Sequence, residues 1–368
     1  MKKIGIITFH RAHNYGAMLQ AYALQEYLKK YDVKIIDFND KNINRCYKII
    51  KVNEKNVKGN IKSIISDMLF LNKNIRRYYF FNKFLKNNMK LTQKYKSKKS
   101  LMVNYPKFDI YITGSDQVWN PNIVGKIDDI YTLNFGEKKI KRISYAASIG
   151  ISKLKESDYE KLIEDINKID KISVRERSAK ELLEKKIVKK NIEVVLDPTF
   201  LIKKEEWEKK FRDKFLIKEE YIFAYEVDYN EEYIKIVNEL SKRTNLKVVY
   251  FEKRNKGYNK VLKNMYCSGP EEFVMYLKNA KYVVTSSFHA TAFSIIFNKN
   301  LWVVAHKVTG SRTADLLKMC KLENRIVKSY SEFLQNEYDE EIDYEKVNKI
   351  IEKMRKKSTL WLENSINE

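Results

Sequence analysis

Apolar positions along the chain fall into two rhythms, and their alternation carries the first structural information. Short β-branched runs without a polar face recur at residues 3–9, 33–38, 110–113, 143–147 and 172–174, and again at 221–227, 246–251, 282–285 and 301–305. Runs of this kind predict strands buried on both faces. Between them the spacing changes to threes and fours. Leu19, Tyr22, Ala23 and Tyr27 form such a stripe in a helix predicted over 17–31, and further helices are predicted over 158–168, 231–242, 270–279 and 290–297. Pro270 suits the first turn of its helix, where its missing N–H costs nothing. Strand–helix alternation predicts parallel sheets covered by helices on both faces, here two doubly wound, Rossmann-like α/β domains with a cleft between them. The first domain is drawn over 1–200 and the second over 201–342. A charged amphipathic helix predicted over 343–357 opens the closing segment 343–368.

Composition agrees with this and narrows the setting. The 368 residues suffice for two domains, and 44% hydrophobic residues can fill their cores. Cys46, Cys267 and Cys320 are too far apart for a disulfide framework or a Cys-x-x-Cys metal site, which favours a reducing compartment. The apolar start of the chain stops at His10 and Arg11, too early for a signal peptide, and no later stretch has the length of a membrane span. A soluble cytoplasmic protein is expected.

Charge adds a second theme. Of the 72 basic residues 59 are lysine, and the formal net charge is +24. Part of this is a lysine-rich background. The rest is concentrated, because residues 41–100 carry seventeen Lys or Arg against Glu54 and Asp67 alone. Within that segment Ile61, Ile64, Ile65, Met68, Leu69, Tyr78, Tyr79, Phe81, Phe84 and Leu85 alternate with Lys62, Arg76, Arg77, Lys83 and Lys86. A basic helical insertion with a solvated charged face accounts for the pattern. A peripheral contact with anionic lipid at the inner face of the membrane, or with a phosphate-bearing acceptor, is the alternative. Nucleic acid is not expected as a partner, since no zinc-finger, helix-turn-helix or RNA-recognition signature accompanies the charge.

Four loops at predicted strand ends carry the candidate chemistry. In residues 9–17, Asn14 and Gly16 suit a tight turn before a helix N-terminus, a place that favours anions. His10 and His13 in the same loop have no neighbouring Cys or carboxylate to complete a metal set. In residues 113–121, Ser115 or Asp116 can cap the turn, and Asp116 can also serve as a general base. Arg175 ends a buried strand, where its charge needs an anion, either Glu176 or a substrate carboxylate or phosphate. In residues 282–292 a strand leads into Ser286, Ser287 and His289 at a helix start, with Arg312 downstream as a second cation. The G-x-S-x-G, G-x-x-x-x-G-K-[ST] and G-x-G-x-x-G motifs are absent.

At these same residues the sequence resembles the polysaccharide pyruvyl transferase family. The resemblance rests on FHRAHNYGAMLQAYAL (9–24), ITGSDQVWNP (112–121), SYAASIG (144–150), ISVRERSA (172–179), VVLDPTFL (194–201), SSFHATAFSIIF (286–297) and SRTADLLKMCKLENRI (311–326). It implies a GT-B-like fold and transfer of the pyruvyl group of phosphoenolpyruvate to a sugar diol, giving a cyclic ketal and phosphate without a cofactor. The acceptor it implies is a sugar or lipid-linked glycan. His289 matches the family's proposed general acid, and Arg175 and Arg312 match basic positions thought to hold phosphoenolpyruvate. Many members have Gly after the histidine, where this chain has Ala290. Two other readings fit the residues: a nucleotide-sugar-dependent glycosyltransferase of the same fold, and a non-catalytic basic module binding an anionic polymer.

Overall fold

A computed structural model describes residues 1–44, 67–151, 153–212, 217–227, 229–305, 310–338 and 340–368. The chain forms two compact units, Met1–Leu201 joined by Lys353–Glu368, and Ile202–Glu352. From Lys353 onward the closing helix Tyr344–Asn367 belongs to the first unit. Cys46, Ile61, Lys62, Ile64 and Ile65 lie outside the described residues.

The first unit is built on a six-stranded sheet: β1 (Lys3–Ile7), β2 (Asp32–Ile35), β3 (Ile110–Thr113), β4 (Lys141–Ala147), β5 (Lys171–Val174) and β6 (Ile192–Val194). Its order is β2-β1-β3-β4-β5-β6, with every neighbouring pair parallel. The second unit repeats the plan with β7 (Tyr221–Tyr225), β8 (Lys247–Tyr250), β9 (Val261–Asn264), β10 (Tyr282–Thr285), β11 (Asn300–Val304) and β12 (Ile326–Val327). Its order is β12-β11-β10-β7-β8-β9, again parallel throughout. Strands β3 and β10 are buried along their whole length, as the unbroken apolar runs predict.

Both sheets reverse their winding once. From β1 the chain first crosses to β2 and later returns to β3 on the other side; from β7 it first crosses to β8 and later returns to β10. Neighbouring crossovers that leave in opposite directions open a crevice at the carboxyl ends of the two strands, where ligands of such sheets bind. The crevices lie at β1/β3 and at β7/β10. Three of the four loops singled out in the sequence follow these strands.

Helix Tyr15–Tyr27 departs from expectation. A stripe of apolar residues predicts one buried face, yet every residue from Tyr15 to Gln25 is buried. It is central because other elements cover its outer side: Phe84 of helix Leu71–Asn88 meets Tyr22, and Tyr27 donates to Glu363 of the closing helix at 3.0 Å. The closing helix is fixed to the first unit by further contacts. Ser358 Oγ accepts from the Leu196 amide at 3.0 Å, Arg355 donates to the Phe200 carbonyl at 2.6 Å, and the Trp361 ring lies tilted beside Tyr145, 6.3 Å between centroids.

In the basic segment the apolar residues divide between two faces. Phe81, Phe84 and Leu85 are buried, whereas Met68, Leu69, Tyr78 and Tyr79 are exposed. Arg77 is not part of a solvated charged face. It donates to Tyr15 Oη at 2.6 Å and to the His13 carbonyl at 3.0 Å, and lies over the Phe81 ring. Among the described residues no helix is long and apolar enough to cross a membrane.

Candidate functional site

At the β1/β3 crevice the two loops are stitched through Gln20 of the central helix. Gln20 donates to Thr8 Oγ1 at 2.9 Å and accepts from the Ser115 amide at 3.1 Å, and Thr8 donates to the Ser115 carbonyl at 3.2 Å. The preceding Gly114 has φ +108°, and a Cβ there would stand 2.3 Å from the Tyr145 carbonyl oxygen, so only glycine fits this turn. The β1 loop is held from below by Asp37, which accepts from both Arg11 and His10. Burial opposes the Asp37 charge, but these hydrogen bonds and the positive side chains hold its carboxyl well below the usual carboxylate range. His13, by contrast, is pushed down to about 4 by burial and by the charges of Arg77 and Arg11.

Deeper in the same unit sits a charge cluster. The Arg175 side chain is 2% exposed; its guanidinium donates to Asp197 Oδ2 at 3.0 Å and lies 3.8 Å from Glu176 Oε2 and 3.9 Å from Asp116 Oδ1. Burial opposes its charge, and Asp197, Glu176 and Asp116 together more than restore it. Glu176 Oε1 in turn accepts from Ser148 Oγ at 2.7 Å and from the amides of Ile149 and Gly150. Asp197 also receives the Ser115 hydroxyl at 3.1 Å and the Thr199 amide and hydroxyl. The cluster thus ties together the ends of β3, β4, β5 and β6.

At the β7/β10 crevice the strand ends are joined in a similar way. Thr285 Oγ1 donates to the Tyr225 carbonyl at 2.6 Å, and the Val227 amide donates to Ser286 Oγ at 3.0 Å. Ser287 caps helix Phe288–Ile296 by accepting from the Ala290 amide, and His289 follows in the first turn, 7% exposed. Glu226 and Glu252, both buried, follow β7 and β8. Burial pushes the Glu226 carboxyl up to about 7, with Lys256 3.6 Å away opposing the shift and the Glu252 charge adding to it. Burial also raises Glu252, which accepts from Tyr258 Oη at 3.1 Å. Among the described residues no three His, Cys, Asp or Glu side chains are grouped to hold a metal ion.

The sequence model of polysaccharide pyruvyl transferases matches residues 14–308, which include the loops after β3 and β10 and the Arg175 cluster. The chain belongs to the polysaccharide pyruvyl transferase family. It is a transferase enzyme, which removes the non-catalytic binding module from consideration. No curated protein matches it in a sequence search. Among solved structures it is similar to S. aureus MnaA in its co-structure with UDP, with TM-score 0.52 and 11% identity over 91% of this chain and 87% of that one. A putative UDP-N-acetylglucosamine 2-epimerase from Listeria monocytogenes gives TM-score 0.49 and 12% identity over 96% and 90% of the two chains. The glycosyltransferase SnogD from Streptomyces nogalater gives 0.41 and 8% over 99% of each. At 11% identity the likeness to MnaA is one of fold, and the fold is GT-B-like.

Placed on this transferase, the sequence-derived residues divide by unit. Asn14, Gly16, Ser115, Asp116 and Arg175 belong to the first unit, and Ser286, Ser287, His289 and Arg312 to the second. Asn14 caps helix Tyr15–Tyr27 by accepting from Ala17 N at 3.1 Å, and Gly16 lies in that helix's first turn rather than in a loop. Ser115 is buried and donates inward, to the Ala146 carbonyl or to Asp197. Asp116 Oδ1 accepts from the Gln117 amide at 2.9 Å. Arg312 is buried in helix Gly310–Met319. Sequence reasoning missed Asp37, Asp197, Glu226 and Glu252. A usable signal was there, since each acid directly follows an apolar strand-like run, as Arg175 does.

Two outcomes follow from the charges. Removing Arg175 leaves Asp197, Glu176 and Asp116 facing one another out of water. Arg175→Ala is expected to lower unfolding stability by about 3–5 kcal/mol, and Arg175→Ala with Asp197→Asn to recover part of it. Urea denaturation reads both; an unchanged midpoint in the single variant contradicts a structural role for the pair. Glu226 has a folded pKa raised from the ordinary 4.5 to about 7, so its contribution to stability is fully present below 4.5 and is lost as pH rises through 7. Glu226→Gln is therefore expected to melt roughly 2 °C or more above wild type at pH 8, the gap closing towards pH 5. A gap independent of pH contradicts the assignment.

Proposed function

We propose that this transferase moves the pyruvyl group of phosphoenolpyruvate onto two hydroxyls of a sugar in a cell-surface polysaccharide or glycan precursor, on the cytoplasmic side. The methylene carbon takes a proton and becomes a methyl group, leaving an oxocarbenium-like centre at C2. One sugar hydroxyl bonds to C2, the C2–O bond to phosphate breaks, and the second hydroxyl closes the ring. Of the two protons given up by the diol, the methyl carbon accounts for one and the departing phosphate for the other, so the products are a cyclic ketal and inorganic phosphate. The reaction needs an acid, a base and cations for a carboxylate and a phosphate, and no cofactor.

The observation that carries this reading is the family match, together with the place of His289 at the carboxyl edge of β10, where that sheet reverses direction. In the proposed scheme His289 is the general acid and Asp116 the general base. Arg175 and Arg312 hold the donor's carboxylate and phosphate, with Ser286, Ser287, Ser115, Asn14 and Gly16 as further binding positions. Any anion held by Arg175 shares that guanidinium with Asp197.

The test is phosphate release from phosphoenolpyruvate in the presence of a panel of sugar and lipid-linked glycan acceptors. Wild type is expected to release phosphate only when an acceptor is present, and His289→Ala to lose at least about 100-fold in rate with its melting temperature nearly unchanged. Turnover of nucleotide-sugars with no phosphate release from phosphoenolpyruvate supports the glycosyltransferase reading instead. Near-wild-type activity in His289→Ala overturns the acid assignment.

A further inference from the structure

The outer side of helix Leu71–Asn88 has no role in holding the first unit together. Leu71, Ile75, Tyr78 and Tyr79 fall within an arc of about 100° on that helix, and all four are exposed, Ile75 by 45% and Tyr79 by 57%. Met68 and Leu69, just before the helix, are also exposed. Exposed Arg76 and Lys83 border one edge of the apolar arc and Lys86 lies within it one turn further on, with Lys83 reaching over the Tyr79 ring.

Some exposed lysines on other helices are answered by acids, as in Lys29–Glu26, Lys235–Glu232 and Lys349–Glu345. Arg76, Lys83 and Lys86 form no ion pair among the described residues, and residues 68–108 contain no Asp or Glu at all. A merely solvated helix has no need to exclude acids over so long a stretch. An apolar arc bordered by uncompensated cations is complementary to an anionic lipid surface, in which the rings and aliphatic chains enter the interface and the cations meet the headgroups.

The inner side of the same helix reaches the candidate site. Arg77 binds Tyr15 and the His13 carbonyl, and Phe81 stacks on His13 at 5.1 Å. We propose that the outer face of helix Leu71–Asn88 docks on an anionic bilayer, bringing the loop after β1 to the membrane surface where a lipid-anchored glycan acceptor is met. The docking stands on the helix alone; only the nature of the acceptor rests on the proposed function.

The experiment is sedimentation of the full chain with vesicles of phosphatidylcholine and phosphatidylglycerol at about two to one, against vesicles of phosphatidylcholine only, at low and high salt. Binding is expected to the anionic vesicles and to weaken with salt. Each cation near such a surface is worth roughly a factor of five in affinity. Arg76→Glu/Lys83→Glu/Lys86→Glu is accordingly expected to lose well over tenfold, and Ile75→Asp/Tyr79→Asp to lose about tenfold or more. Both variants should keep the wild-type melting temperature and the wild-type phosphate release with a water-soluble acceptor. Absence of vesicle binding, equal binding to neutral vesicles, unaltered binding by folded variants, or duplex DNA displacing the vesicles through the same residues would each overturn the proposal. Failure of the phosphate-release assay leaves the vesicle result standing, so the two ideas fall separately.

Discussion

Strands in a parallel sheet are joined by crossovers of one hand, so a chain that builds its sheet in both directions from one strand must leave a crevice beside that strand. Both units of this transferase obey that constraint, at β1/β3 and at β7/β10. The polar residues of interest follow from it. Loop ends at a crevice have no helix packed over them, and their backbone groups must find partners among themselves. Thr8, Gln20 and Ser115 meet that need in the first unit, and Thr285, Ser286 and Val227 in the second. Small hydroxyl and amide side chains at strand ends thus have a structural duty before any chemical one.

The Arg175 cluster shows how far that duty extends. A guanidinium buried at the end of β5 is held charged by carboxylates from three other positions, and one of them, Asp197, also receives Ser115 from the β3 loop. The cluster fixes where the β3 loop sits and therefore where Asp116 is presented. In the second unit the charges act differently: burial raises the carboxyls of both Glu226 and Glu252, with Lys256 opposing the shift.

Much of this was legible in the sequence, and the remainder was not for physical reasons. Unbroken apolar runs located nine strands because burial on both faces leaves no ambiguity at 110–113 or 282–285. Strands β6, β9 and β12 were missed; β9 has no buried residue, and β12 has two residues, so neither carries a two-sided pattern. Helix Tyr15–Tyr27 showed its stripe but not its full burial, since its second cover is supplied by Phe84 and by the chain's last helix, far away in sequence. Local spacing also made Arg77 look like a surface charge, whereas it reaches back to Tyr15 across the unit. Candidate residues were legible as strand-end residues; their hydrogen-bond partners, being distant in sequence, were not.

In the proposed reaction a proton is delivered to the methylene carbon of phosphoenolpyruvate as a sugar diol closes a ketal at C2. Transfer run in D2O with phosphoenolpyruvate and a responsive glycan acceptor, the product being read by mass and NMR, follows that proton. The expected product is heavier than the acceptor by pyruvic acid less water, with one deuterium in its new methyl group. A product that keeps its vinyl carbon, a ketal methyl free of deuterium, or transfer that proceeds only with a nucleotide-sugar would contradict it.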